Sequence, residues 1–288
     1  MRVNTNNAID YLLIGHVTED LQPNESVVLG GTVTYSGLTA RALGHQPTII
    51  TSCSEETFLK TLADFPIHIV PSVNTTQFRN TPSENGRIQH LYSQASKITA
   101  DDLPCNWTNP AIVHIAPVFN DVAPALLAHF PNSFRCLTPQ GWMRDVDECG
   151  VVRPKKLDGI DKWLGYAHAV VLSREDLQGD MSEAERLAKQ VPVLVVTERD
   201  KGALVFSKSE QKHFPAPSVN LVDDTGSGDI FAACFFHHLY HHQNVWQAAQ
   251  FAVNLASQSV SRQALDGIPT PEEIQKAREM ALEQAVYG

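Results

Sequence analysis

The densest chemistry in the chain lies between Val222 and Phe235, in the stretch VDDTGSGDIFAACF. Three carboxylates, Asp223, Asp224 and Asp229, crowd around Gly226 and Gly228, and an apolar run follows. Glycines at such a point free the backbone, so the N–H groups of Gly226, Ser227 and Gly228 can converge on an anion. The positive end of a following helix adds favourable potential. Asp229 falls in the first turn of that helix. Phosphoryl transfer to a hydroxyl needs an anion cradle with a carboxylate alongside. The amides stabilise charge on the moving group, while the carboxylate orients the alcohol and takes its proton. The simpler reading is an ordinary helix cap, because Asp and Ser favour such positions. A β-branched residue at Gly228 is expected to disturb the cradle.

A second cluster is FFHHLYHH, residues 235–242. His237 with His241, and His238 with His242, stand four apart, a spacing that lets two imidazoles on one helix face share a metal. No Glu-based zincin pattern accompanies them. They fall at the C-terminal end of the helix, where histidine also suits the dipole. A metal-dependent hydrolase is therefore a second function class, separable by a metal assay.

These residues need a scaffold. Short apolar runs rich in branched residues predict buried strands at 11–17, 48–53, 67–72, 111–117, 133–139, 168–173 and 193–198. Helical spacing over 30–44 ends at Gly44, and residues 57–65 also read as helix. Further helices are expected between the later strands. Residues 75–95 alternate polar and apolar around a Pro-Ser-Glu-Asn-Gly turn, the pattern of a hairpin with one wet face. After 220 the chain reads as mostly helical. Alternating strands and helices predict an α/β domain around a mostly parallel sheet covered on both faces. One domain over 1–288 is expected, with a small β excursion from about 18–35 and 75–95 that can cover a cleft.

Composition narrows the partners. The chain has 288 residues, 43% hydrophobic and 19% charged, which fits a globular protein. A net charge of −10 argues against nucleic acid or a membrane surface. No signal peptide and no span of ~20 apolar residues is evident. Five cysteines with no C-x-x-C pair predict reduced thiols packed in a core and a cytoplasmic location.

The stretch DDTGSGDIFAACF resembles the second signature of the ribokinase-like, phosphofructokinase B (PfkB) family of carbohydrate kinases. Gly30, Gly31 and Leu43–Gly44 are similar to that family's first signature, and the element order is similar over nearly the whole chain. The resemblance implies a three-layer α/β/α sandwich with a small β lid, and ATP- and Mg²⁺-dependent phosphorylation of a sugar, polyol or nucleoside hydroxyl. It implies Asp229 as catalytic base and the amides of Gly226, Ser227 and Gly228 as the anion hole. It places Asp223 beside a monovalent cation, K⁺, and Asp176 near Mg²⁺. Thr197, Lys201 and Gly202 correspond to the nucleotide loop, and Asn254 to a position bordering adenine. Lys201 reads equally as a loop lysine. Asp20, Gly30 and Gly31 correspond to acceptor-binding positions, and Gln140 and Arg144 follow a strand end that could face the acceptor.

The departures are specific. Tyr35 stands where the family has an acceptor-binding Asn. The Asn-x-x-Glu motif is represented by Ser173–Asp176, and the Thr-x-Gly-x-x-Gly loop by Thr197–Gly202, with Arg199 for the first Gly. GGTVTYSG, PQGWMR and LDGIPTPEE resemble a divergent subgroup that includes myo-inositol kinases, which implies a cyclitol acceptor. A homodimer through the lid is expected. A nucleoside kinase, or a non-catalytic nucleotide-binding regulator on the same fold, stay as alternatives. The intact Asp229 speaks against the regulator, since a pure binder has no need of a base.

Overall fold

The computed structural model describes residues 9–55, 57, 60–83, 86–107 and 109–287. The first strand, β1 (Tyr11–Ile14), is wholly buried, as expected of a strand covered on both faces. The chain then leaves the main sheet for β2 (Thr18–Leu21) and β3 (Val27–Gly30), and returns through helix α1 (Thr32–Ala42) to β4 (Pro47–Cys53) and β5 (Ile67–Pro71). A second excursion forms the hairpin β6 (Thr76–Ser83) and β7 (Gly86–Ser93). Strands β8 (Ile112–Ile115) and β9 (Phe134–Leu137) rejoin the main sheet. The small hairpin β10 (Arg144–Val146) and β11 (Val152–Pro154) stands outside it. Then come β12 (Ala169–Ser173), α2 (Met181–Ala188), β13 (Val193–Thr197), β14 (Ala203–Ser207) and β15 (Glu210–Phe214). Helices α3 (Ser227–His242), α4 (Val245–Ser259) and α5 (Pro271–Tyr287) close the chain.

The main sheet has the order β15-β14-β13-β12-β9-β8-β1-β4-β5. It is parallel from β13 to β5, and β14 and β15 add an antiparallel edge. Successive residues feed opposite layers: Tyr11 and Leu13 join the core under α1, α3 and α4, while Leu12 and Ile14 join the core under α2. This is the α/β/α sandwich with a separate small sheet, β3-β2-β6-β7, as the lid. Phe78 of β6 packs on Val118 and Phe119 beyond β8, which seats the lid over the carboxyl end of the main sheet.

Several expectations need correction. The lid's first part ends at Gly30, because α1 begins at Thr32; residues 32–35 belong to the sandwich. Over 57–65 the described residues hold only the 3₁₀ turn Lys60–Leu62, and Pro66 follows directly; residues 58 and 59 lie outside the described set. Residues 84 and 85 of the predicted hairpin turn lie outside it as well. Most connections expected as helices between β8 and β12 are 3₁₀ turns, at Pro124–Ala128, Pro139–Met143 and Asp161–Tyr166. Of the five cysteines, Cys53, Cys136 and Cys234 are buried, but Cys105 and Cys149 are exposed. Among the described residues no helix is long and apolar enough to cross a membrane.

Candidate active site

The N-terminus of α3 is built by local backbone. Gly226 is its cap residue, with φ +75, and no side chain caps the helix. A left-handed φ alone favours glycine here. The fold adds a second reason: a Cβ on Gly226 would fall inside the ring of Tyr35. Gly228 is different. Its φ is ordinary and open space lies where its Cβ would be. The conformational demand expected at Gly228 therefore belongs to Gly226, and Gly228 keeps the mouth of the helix clear. Ser227 N–H donates to the Asp224 carbonyl at 3.2 Å, which closes the turn and leaves that amide partly committed. The N–H of Gly228 belongs to the first turn, where a helix supplies no acceptor of its own.

Asp229 is held in place from α1. Ser36 Oγ donates to the Asp229 carbonyl at 3.0 Å, across 193 residues of sequence. One residue earlier, Tyr35 is buried, and its hydroxyl pKa is pushed up, first by burial and then by the negative charges of Asp20, Asp229 and Asp223. The fold thus brings Asp20 of the lid to the neighbouring carboxylates Asp223 and Asp229 around one tyrosine. Asp20 reaches from lid strand β2 over its partner strand. A Cβ on Gly30 would strike the Asp20 carboxylate, with Thr18 Oγ1 at 2.9 Å. Gly31 leads into α1 with φ +88. Asp20, Gly30, Gly31, Tyr35, Gly226–Gly228, Asp229 and Asp223 accordingly share one region.

Other predicted residues are committed to the scaffold. Asp223 accepts from the N–H groups of Thr225 and Ala264, both at 2.9 Å, and so ties the cradle loop to the turn before α5. Asp176 accepts from the N–H and hydroxyl of Ser173, both at 2.8 Å, closing the turn after β12. Asp176 and Asp223 do not join a group of three metal-ligating side chains; among the described residues only His45, His237 and His241 gather in that way. Asn254 is buried in α4. Its amide oxygen accepts from Gln250 Nε2 at 3.1 Å and its nitrogen donates to Met280 Sδ at 3.7 Å, so it is hydrogen-bonded within α4 and to α5.

The Thr197–Gly202 loop carries a different signal. Gly202 has φ +104 and lies so close to the Phe214 carbonyl that no Cβ fits. Thr197 Oγ1 donates to the Leu172 carbonyl at 3.4 Å, and Lys201 is exposed. Arg199, at the position matched to the first glycine of that loop, has a left-handed backbone with φ +54. Its guanidinium pairs with Glu175 and stands 4.0 Å from Asp224. One arginine therefore links the Ser173–Asp176 turn, the 197–202 loop and the cradle. Gln140 is half-buried in the 3₁₀ turn after β9. Arg144 donates to the Val118 carbonyl at 3.1 Å, at the lid's seat.

Two further residues, His16 and Asp121, belong to no motif of the sequence. Both are buried. Asp121 accepts from the N–H groups of Val118, Phe119 and His16. His16 Nε2 donates to the Ser96 carbonyl at 2.8 Å, so its Nδ1 takes the Thr76 hydroxyl at 2.8 Å. This network joins the ends of β1 and β8 to both ends of the lid hairpin. The signal was a lone histidine straight after an apolar strand.

The class defined by this arrangement is a ribokinase-like α/β/α sandwich with a β lid over the glycine-lined mouth of α3. Residues 142–272, a little under half of the chain, match the model of the pfkB family carbohydrate kinases. It is 40% identical over 68 residues to a deoxyribokinase of Salmonella typhi, covering 24% of this chain and 22% of that protein. It is 32% identical over 130 residues to the ribokinase of Bacillus subtilis (strain 168), covering 43% and 42%. These matches span less than half the length of either curated relative. A solved pyrophosphate-dependent kinase in the ribokinase family, complexed with a pyrophosphate analog and myo-inositol, superposes with TM-score 0.78 at 21% identity, covering 93% of this chain and 99% of that one.

Proposed function

We propose that this protein transfers a phosphoryl group from ATP to a hydroxyl of a small sugar or polyol, with Asp229 as the base. The observation that carries the proposal is the position of Asp229: first turn of α3, beside the open Gly228, tethered by Ser36 and facing Tyr35 with Asp20 of the lid. In that place a carboxylate can take the acceptor proton while the helix mouth receives the transferring group. Open space at Gly228 fits a phosphoryl group. Asp176 and Asp223 offer the hard oxygens that suit Mg²⁺, which would lean chiefly on the donor's own phosphates. Asp223 is also where a K⁺ requirement would act.

The acceptor we favour is a cyclitol such as myo-inositol. Tyr35 in place of an amide, and the similarity to a kinase solved with myo-inositol, support that choice. Exposed Val27 and Val28 on the lid's edge strand β3 support a homodimer joined there.

A second reading concerns the donor. Asn254 is buried and bonded to Gln250 and Met280, and Arg199 sets a cation beside the cradle where a nucleotide loop would have glycine. Both favour a compact polyphosphate such as pyrophosphate over a nucleotide. One experiment tests both readings: phosphorus NMR of product formation with Mg-ATP or Mg-pyrophosphate against myo-inositol, ribose, deoxyribose, fructose and adenosine. Product from myo-inositol with ATP supports the first reading, and product with pyrophosphate alone supports the second. Turnover of ribose or adenosine with none of myo-inositol rejects the cyclitol. No phosphorylated product in any combination rejects the kinase.

A further inference from the structure

The end of the sandwich opposite the cradle gathers histidines from two elements. Helix α1 stops at Gly44, with φ +99, and His45 N–H reaches back to the Ala40 carbonyl at 3.0 Å. That closing turn folds the residue after the glycine against its own helix, and here the residue is His45. Helix α3 brings His237 and His241, four apart on one face. His45 Nε2 lies 2.8 Å from His237 Nδ1. The His45 ring stacks on His241, with centroids 5.6 Å apart and planes at 24°. One ligand atom from each of the three lies within 4.8 Å of the others. His45 and His237 are buried, and His241 is exposed.

We propose that His45, His237 and His241 bind a divalent transition-metal ion, Zn²⁺, with solvent completing the coordination beside His241. Three imidazoles with an open fourth position suit Zn²⁺. Tetrahedral bonds of about 2.0–2.1 Å place ligand nitrogens roughly 3.3 Å apart, between the 2.8 Å of the His45–His237 pair and the 4.8 Å limit of the cluster. The outer shell is in place. Asp10, just before β1, accepts from His45 Nδ1 at 2.7 Å. A carboxylate can only accept, so this bond fixes the tautomer and turns the His45 Nε2 lone pair toward His237. A carboxylate behind a ligating imidazole is the usual support of such sites. In the metal-free protein the His237 proton bridges to His45; on binding, it moves to the other ring nitrogen and the ion takes its place. The site lies 8 to 12 residues from Asp229 along α3, about 12–18 Å at helical rise. It would clamp the foot of β1 and the end of α1 to the last turns of α3, apart from the reacting groups.

The site is tested by equilibrium dialysis of tag-free protein against Zn²⁺, with the visible spectrum of the Co²⁺ form as a second readout. The expected result is about one ion per chain, and a Co²⁺ spectrum of low coordination number. Asp10→Asn should weaken binding ~10–100-fold, the usual cost of losing such an outer partner. His241→Gln, at an exposed position, should weaken it at least as much. His242→Gln should leave affinity unchanged. Absence of stoichiometric binding overturns the proposal. So does binding that survives both Asp10→Asn and His241→Gln, or that is lost in His242→Gln, since the ion would then sit on the His238–His242 pair. His45→Gln, if it folds, should abolish the low-coordinate Co²⁺ spectrum; retention of that spectrum also overturns the proposal.

Discussion

Replacing Asp229 by Asn separates catalysis from capping. The substitution removes the charge, keeps the side chain's size and leaves the bond from Ser36 Oγ to the residue's carbonyl in place. The folded protein should persist with nearly the same Tm, while kcat falls by about 10²–10⁴, the range for a lost general base. A wild-type rate with the true acceptor would return Asp229 to a purely structural role. The glycines make a paired prediction. Gly226→Ala forces a left-handed φ worth about 1–2 kcal/mol on a residue with a Cβ and drives that Cβ into Tyr35. It should lower Tm clearly, while Gly228→Ala, in open space, should not. Equal Tm values for the two would mean that Tyr35 does not pack on Gly226. The glycine turn and the first-turn place of Asp229 were legible in the sequence because local backbone makes them. The state of Asn254 was not, because Met280, 26 residues on, decides it. Nor was the His16–Asp121 link, whose members are 105 residues apart.

Elements were legible where one local pattern sufficed. Strands such as β1, β4 and β12 are buried apolar runs, and α1 ends on its glycine as expected. Failures came where tertiary context supplied the stability. Strand β15, EQKHF, has four exposed residues of five and exists by pairing with β14. The 3₁₀ turns after β8 and β9 have apolar residues at helical spacing but only a few residues between breakers. The lid is the element with a functional consequence. Phe78 and the Thr76–His16 bond anchor it at one end, and its far strands carry exposed side chains. If the acceptor binds beneath Asp20, the amides of β6 and β7 should exchange more slowly with saturating acceptor, while those of β14 and β15 stay unchanged as an internal control. Equal exchange of β6 and β7 with and without acceptor would mean that the lid does not close on it.

Across the whole molecule, stability should fall in mild acid, and His114 offers a direct test. It sits in the middle of β8, wholly buried, with Nδ1 3.3 Å from the Tyr11 hydroxyl, Nε2 3.1 Å from the Thr138 hydroxyl and its ring against Phe236. Burial pushes its pKa down to about 3. His238 moves the same way, to about 4, from burial and then the neighbouring His242. In the unfolded chain such histidines titrate near 6.5. Below that pH the unfolded state binds protons that the folded state refuses, so stability is full above about 6.5 and declines as pH falls toward the folded values. Each such histidine costs about 1.4 kcal/mol per pH unit within that window. The carboxylates held below their usual range, such as Asp161 beside Arg186, add their own loss only at lower pH. The guanidinium chloride midpoint should therefore drop steadily from pH 7.5 to 5. His114→Gln keeps a donor and an acceptor for Tyr11 and Thr138. It should be less stable at pH 7.5, where its packing is poorer, yet lose less between pH 7.5 and 5. Parallel pH profiles for the two proteins would show that His114 takes up its proton in the folded state, and that the core around β8 is open to water.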